Sequence, residues 1–250
     1  MSAVGAVTPV AGPHAAAASD PPPFGVTVDS IGGITRTVAA ERSLPERRTT
    51  RVYVAVTESA SYYLSAVRRL HTVSRLTGEL LDSGDATTTS TGAYEARVEE
   101  YPGTLGSWVD VGEFGNEVNG HWSGPYTTGA AKIAEAYAGV TAAGGRTALT
   151  LVAGEYGADK CGDGADELIP VQYLQQYVPA AVRDGLTYVF ESYHATECGP
   201  TFPTDTRVAA ATRAPHALYP DARPGFGEVG LPGPVNRRTP ATGEAVMRWA

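Results

Sequence analysis

Short runs rich in β-branched and aromatic residues alternate along the chain with longer stretches whose apolar residues recur every three or four positions. The runs read as strands over 24–28 (FGVTV), 51–56 (RVYVAV), 78–82 (GELLD), 107–112 (SWVDVG), 147–153 (TALTLVA), 187–193 (TYVFESY) and 225–229 (GFGEV). The stretches between them read as amphipathic helices, clearest over 63–76, 130–144 and 171–185. Gly144-Gly145 and Gly185 stop two of these where the next strand begins, as a helix C-cap in a short connection does. Pro102 predicts a shortened or kinked third helix, and Pro179 falls inside the fifth.

Strand starts about 26 to 40 residues apart leave room for a strand, a loop and a covering helix, which predicts an α/β fold built from βα units. Seven such units suggest a (β/α)8 TIM barrel that is incomplete, with strand eight missing or supplied elsewhere, because "PATGEAVMRWA" near the end reads as a helix. A doubly wound sheet is the alternative, since it needs no closing strand. An open barrel exposes the edges of strands one and seven, so a dimer through that edge is one expected arrangement. Residues 1–22 are rich in Ala, Pro and Gly without a basic start, which suits a disordered leader or a signal-peptide remnant ahead of a single barrel domain over 23–250.

With 250 residues, 42% of them hydrophobic and 18% charged, the chain can bury a sizeable core. A formal charge of −8 offers no attraction to nucleic acid or anionic lipid, and no run approaches the roughly 20 apolar residues of a membrane span, so neither is an expected partner. The only lysines are Lys132 and Lys160, and the only cysteines are Cys161 and Cys198, which allow one disulfide and no zinc-ligand pair. Asp159, Asp163 and Asp166 lack the Asp-x-Asp spacing and closing Glu of a calcium loop, and no metal or cofactor is expected. Gly225, Gly227 and Gly230 satisfy G-x-G-x-x-G, yet no lysine follows Lys160 and no acid-bearing βα unit follows the glycines, so a nucleotide loop is a poor fit.

Ligands of such barrels bind at the carboxyl ends of the strands. The polar residues just past each apolar run are mostly acids: Asp29, Glu58, Asp82, Glu113, Glu117, Glu155, Glu191, Glu197 and Glu228, with His194 beside them. They are densest in "WVDVGEFGNEVNGHW", 108–122, where carboxylates, amides and Trp122 combine the parts of a sugar site. The same residue types also serve as ordinary loop polars near a helix start.

"GNEVNG" (115–120) at strand four and "GFGEVG" (225–230) at strand seven resemble the motifs of clan A glycoside hydrolases, retaining barrel enzymes. More narrowly, the pair resembles bacterial glycosidase-like barrel proteins that combine an "NEVNG" loop with a "GECG"-type strand seven. The resemblance implies hydrolysis of a β-linked saccharide, with Glu117 as general acid/base, Glu228 as nucleophile and Asn116 on the sugar 2-hydroxyl. It also implies a substrate-binding set of Asn119, Trp122, Glu155, Tyr193 and His194, the last two near the nucleophile. Arg51 resembles the strand-two arginine that keeps the nucleophile ionised, although the predicted strand places it at the start rather than the end. On such a barrel Cys161 and Cys198 occupy neighbouring loops of one face, close enough for a disulfide that would suit a secreted, extracellular protein; a cytoplasmic setting is the alternative. Without strand eight, the alternative function is a catalytically inactive barrel that binds carbohydrate.

Overall fold

The computed structural model describes residues 25–152, 170–194 and 216–230, leaving aside the side chains of 193, 194 and 229. Seven strands, β1 (Gly25–Val28), β2 (Arg48–Tyr53), β3 (Ser74–Glu79), β4 (Val111–Glu113), β5 (Arg146–Val152), β6 (Tyr188–His194) and β7 (Arg223–Gly230), form one sheet. All neighbouring pairs are parallel and lie in sequence order. That order excludes the doubly wound alternative, in which the first strand lies inside the sheet and the winding reverses around it. Among the described residues six α-helices lie in the connections from β1 to β6: α1 (Ile34–Ser43), α2 (Ala60–His71), α3 (Thr91–Leu105), α4 (Tyr126–Ala142), α5 (Pro170–Tyr177) and α6 (Ala180–Gly185). The sheet is curled, since Arg51 of β2 meets Glu228 of β7 across its interior. Among the described residues no strand joins β7 to β1, so the fold is a TIM barrel left incomplete, as expected.

Partners in a parallel ladder share a face, so the register separates an outer layer from an inner one. Val52, Leu76, Leu149, Leu151 and Val189 are buried on the outer side, in one apolar cluster with Val67 and Leu70 of α2, Tyr94 and Val98 of α3, Ile133 and Ala136 of α4 and Val182 of α6. The inner face carries Arg51, Glu79, Glu113, Thr150, Ser192 and Glu228. This polar interior accounts for the shifted boundaries. Apolar runs suggest strands at 51–56 and 78–82, whereas β2 and β3 begin three to four residues earlier, at Arg48 and Ser74. Residues 74–76, expected in a helix, belong to β3, and α2 ends at His71. Leu80 and Leu81 are buried just beyond β3, in the turn that follows it.

The prolines act differently from expectation. α3 continues past Pro102 to Leu105, because a proline in the last turn removes only the donor for Val98, and Gly106 N–H still closes on the Pro102 carbonyl at 2.9 Å. Pro179 divides the expected helix over 171–185 in two and serves as the N-cap residue of α6, accepting from Val182 and Arg183. At the carboxyl ends of the strands, buried Arg97 of α3 donates to the carbonyls of Leu80 (2.6 Å), Ala55 (3.1 Å) and Val54, tying the exits of β2 and β3 together.

Candidate active site

β4 is short, but its chain stays beside β5 beyond Glu113. Phe114 N–H donates to Ala148 O (3.1 Å), Thr150 N–H to Gly115 O (2.9 Å) and Val118 N–H to Thr150 O (3.4 Å). Between Gly115 and Val118 two residues leave the ladder, Asn116 and Glu117. Glu117 has φ of +47°, the left-handed region that costs a residue with a Cβ of order 1 kcal/mol or more. Its carbonyl accepts from Gly120 N–H (2.9 Å) and Ser123 Oγ (2.8 Å), which hold the turn in this form.

The Glu117 carboxyl is nine-tenths buried and held from three elements. Ser192 Oγ of β6 donates to Oε1 at 2.6 Å, while Ser83 Oγ and Trp122 Nε1 donate to Oε2 at 3.0 and 3.1 Å. Gly120 makes room for the indole: a Cβ there would lie 2.5 Å from the Trp122 ring. Asn116 is buried and donates to Asp82 Oδ2 at 3.3 Å, leaving its own Oδ1 without a hydrogen-bond partner. Asp82 also accepts from Gly84 N–H at 2.8 Å and so caps the turn that carries Ser83. That loop is fastened from behind by Lys132 of α4, whose buried ammonium donates to the carbonyls of Ala86 and Thr89, both at 2.6 Å. Burial lowers the Lys132 pKa.

A second cluster lies across the interior. Arg51 is the fourth residue of β2, not its first, and its side chain is 6% exposed. Nε and Nη2 grip Glu113 at 2.6 and 2.7 Å, Nη2 lies 3.1 Å from Glu79, and Nη1 donates to Glu228. Thr150 Oγ1 adds a 2.6 Å bond to Glu113. Burial opposes the charge on Arg51, but Glu113, Glu79 and Glu228 outweigh it and hold the guanidinium protonated beyond its ordinary range.

Glu228 owes its aim to a bulge. Glu191 pairs with Phe226 but Ser192 pairs with Glu228, so Gly227 is the extra residue of β7. A Cβ on Gly227 would lie 3.0 Å from Phe190 and 3.2 Å from Thr150 Oγ1, a space a side chain there would have to share. The shift puts Glu228 in register with Ser192, the residue bonded to Glu117, so the two carboxyl clusters converge on one inner face.

The expected site residues therefore separate. Glu117, Asn116 and Trp122 come together, Glu228 lies in the Arg51 cluster, and Asn119 is fully buried with its amide on the Val152 backbone, donating at 3.0 Å and accepting at 2.7 Å. Tyr193 and His194 close β6 in register with Val229 and Gly230. Glu155, Cys161, Cys198 and Glu197 lie outside the described residues, as do the leader and the segment expected to lack strand eight. Ser83, Ser192, Thr150 and Glu79 line these clusters without having been expected there; the strand register places Ser192, Thr150 and Glu79, and the Asp82-capped turn places Ser83. Among the described residues no group of three or more His, Cys, Asp or Glu side chains is arranged to hold a metal ion.

No known protein family matches the sequence, and no curated protein does. Solved structures similar to the fold include a glucosidase from Croceicoccus marinus (TM-score 0.50, 12% identity, covering 81% of this chain and 49% of that one). Others are an oxaloacetate acetylhydrolase (TM-score 0.49, 12% identity, covering 90% and 79%) and a GH5-4 broad specificity endoglucanase from an uncultured bacterium (TM-score 0.49, 13% identity, covering 86% and 71%). The chain thus spans about half the length of the glucosidase. At these identities the likeness is one of fold, and the structural neighbours of this incomplete TIM barrel include glycoside hydrolases.

Proposed function

We propose that the protein is a retaining glycoside hydrolase acting on a β-linked saccharide, with Glu117 as acid/base and Glu228 as nucleophile. The observation that carries this reading is that Ser192, whose hydroxyl donates to Glu117, stands in register with Glu228, so that both carboxyl residues border the same stretch of the inner face. A retaining pair needs a carboxyl separation of roughly 5 to 5.5 Å. The surroundings also differ as the two roles require. Arg51 donates to Glu228, favouring the ionised form that attacks the anomeric carbon. Of the donors to Glu117, the Ser83 and Ser192 hydroxyls can turn to accept from a protonated carboxyl, which suits both states of an acid/base. The fold it shares with a glucosidase is compatible with this chemistry.

In the first step a Glu228 oxygen bonds to the anomeric carbon as its bond to the leaving oxygen breaks and Glu117 protonates that oxygen; water then reverses the roles. Assaying aryl β-glycosides with the wild type, Glu117→Gln and Glu228→Gln tests it. Glu228→Gln should abolish hydrolysis, and Glu117→Gln should lower it about 10²- to 10⁴-fold for poor leaving groups. Activity surviving both changes overturns the assignment, and sugar binding without hydrolysis by the wild type favours a binding barrel.

A further inference from the structure

Arg51 faces three carboxyl groups, and that count poses a problem of charge. The side chains of Glu113 and Glu79 are 0% and 1% exposed, so little water is present to support two carboxylates on one guanidinium. A carboxyl so placed keeps its proton rather than remain as an uncompensated anion. Glu113 is not that group, since it takes two guanidinium donors and the Thr150 hydroxyl on its two oxygens. Glu228 receives Nη1 and is the most exposed of the three.

Glu79 differs from both. Its Oε1 is sealed from solvent without a hydrogen bond, and the 3.1 Å contact is with Nη2, a nitrogen already donating to Glu113. Among the described residues, the charged and titratable groups facing it are Arg51 and Tyr53 of β2, Asp82 just beyond β3, Tyr94 of α3, Glu113 of β4 and Glu228 of β7. Burial raises its pKa well above the carboxyl range, Arg51 opposes this, and Glu113, Asp82 and Glu228 add to it.

We propose that Glu79 is a positioning residue for Glu228: in the resting protein it holds a proton and leaves Nη1 of Arg51 to Glu228, and on ionising it draws the guanidinium away. This rests on reading Glu228 as the nucleophile. Glu79 acts through Arg51 rather than on the substrate, and its ionisation lowers activity on the alkaline side independently of Glu117.

The test uses a dinitrophenyl β-glycoside, whose leaving group departs without protonation, and the Glu117→Gln protein, in which the acid/base no longer titrates. kcat/KM should still fall at least tenfold on the alkaline side, and adding Glu79→Gln should remove that fall. A flat profile in Glu117→Gln, or an unchanged fall in the double variant, overturns the proposal. Infrared spectroscopy provides a second readout. The wild type at pH 7 should show a protonated carboxyl band that Glu79→Gln lacks, and an absent band overturns the proposal. Should the double variant not fold, the band in Glu117→Gln must titrate with kcat/KM, and a separation beyond about one pH unit overturns the proposal. If the band is present but the wild type hydrolyses no aryl β-glycoside, the glycosidase reading fails and takes the positioning role with it, while the proton on Glu79 stands.

Discussion

A proton retained on one buried acid affects stability as well as chemistry. An unfolded chain releases the Glu79 proton near pH 4.3 to 4.5, whereas the folded chain, in which burial raises the pKa, keeps it to higher pH. In that interval the native state binds more protons than the unfolded one, so stability is full below the unfolded value and falls as pH rises towards the folded one. The slope is about 1.4 kcal/mol per pH unit, on the order of 3 to 5 °C in Tm for a chain of this size. Glu79→Gln should remove it, so its Tm should gain on the wild type as pH rises from about 4.5; parallel Tm curves would contradict this. Nothing local in the sequence singles out Glu79. It lies in the "TGELLD" run, where the flanking leucines draw the eye, and only pairing with Tyr53 and Glu113 places it against Arg51. Glu117 and Glu228 stand out as candidates because each sits in a distinctive motif, whereas serines such as Ser83 and Ser192 are too common to stand out.

Elements were legible where one face is apolar. α2, α4 and β5 fall close to their predicted positions because each presents an apolar side to the outer layer. β2 and β3 were displaced because their inner faces bear Arg51 and Glu79, so alternation that looks polar to a hydrophobicity rule is in fact a strand buried on both sides. Loops are positioned by contacts of long sequence separation, which no periodicity encodes. Lys132 is an example, reaching from α4 to carbonyls of the β3–α3 loop more than forty residues earlier. Lys132→Met keeps the alkyl stem and removes both bonds, leaving two carbonyls unpaired at a cost of about 1 to 3 kcal/mol. Hydrogen exchange over residues 83–90 should rise at least tenfold with β5 unaffected; unchanged exchange would show that the loop is held by other means.

At the scale of the molecule, the alternation of strands and helices was enough to indicate a singly wound βα sheet, but not how its two ends meet. Across the interior the ends are related by charge. Arg51 of β2 donates to Glu228 of β7, while Nε and Nη2 of the same guanidinium bind Glu113 of β4. Removing one member of such a buried set typically costs about 3 to 5 kcal/mol, because the remaining charges lose compensation without regaining water. The polar interior is thus a structural tie as well as a site, and changes to it alter folding and chemistry together.

The bulge at Gly227 adds a matter of parity. Strand side chains alternate between faces, so a β7 that paired without leaving Gly227 out of the ladder would set Gly227 opposite Ser192 and turn Glu228 from the interior to the helix side without changing any residue's identity. Inserting a second glycine beside Gly227 should leave circular dichroism close to wild type yet move Glu228 opposite Tyr193 and abolish the tie to Arg51 and any hydrolysis; retained hydrolysis would show that β7 absorbs both glycines in its bulge. The inheritance of this site therefore depends on a count as much as on its letters. One in-frame triplet, gained or lost again, would suffice to silence the barrel in one lineage and restore it in another, while both carboxylates stayed in the gene.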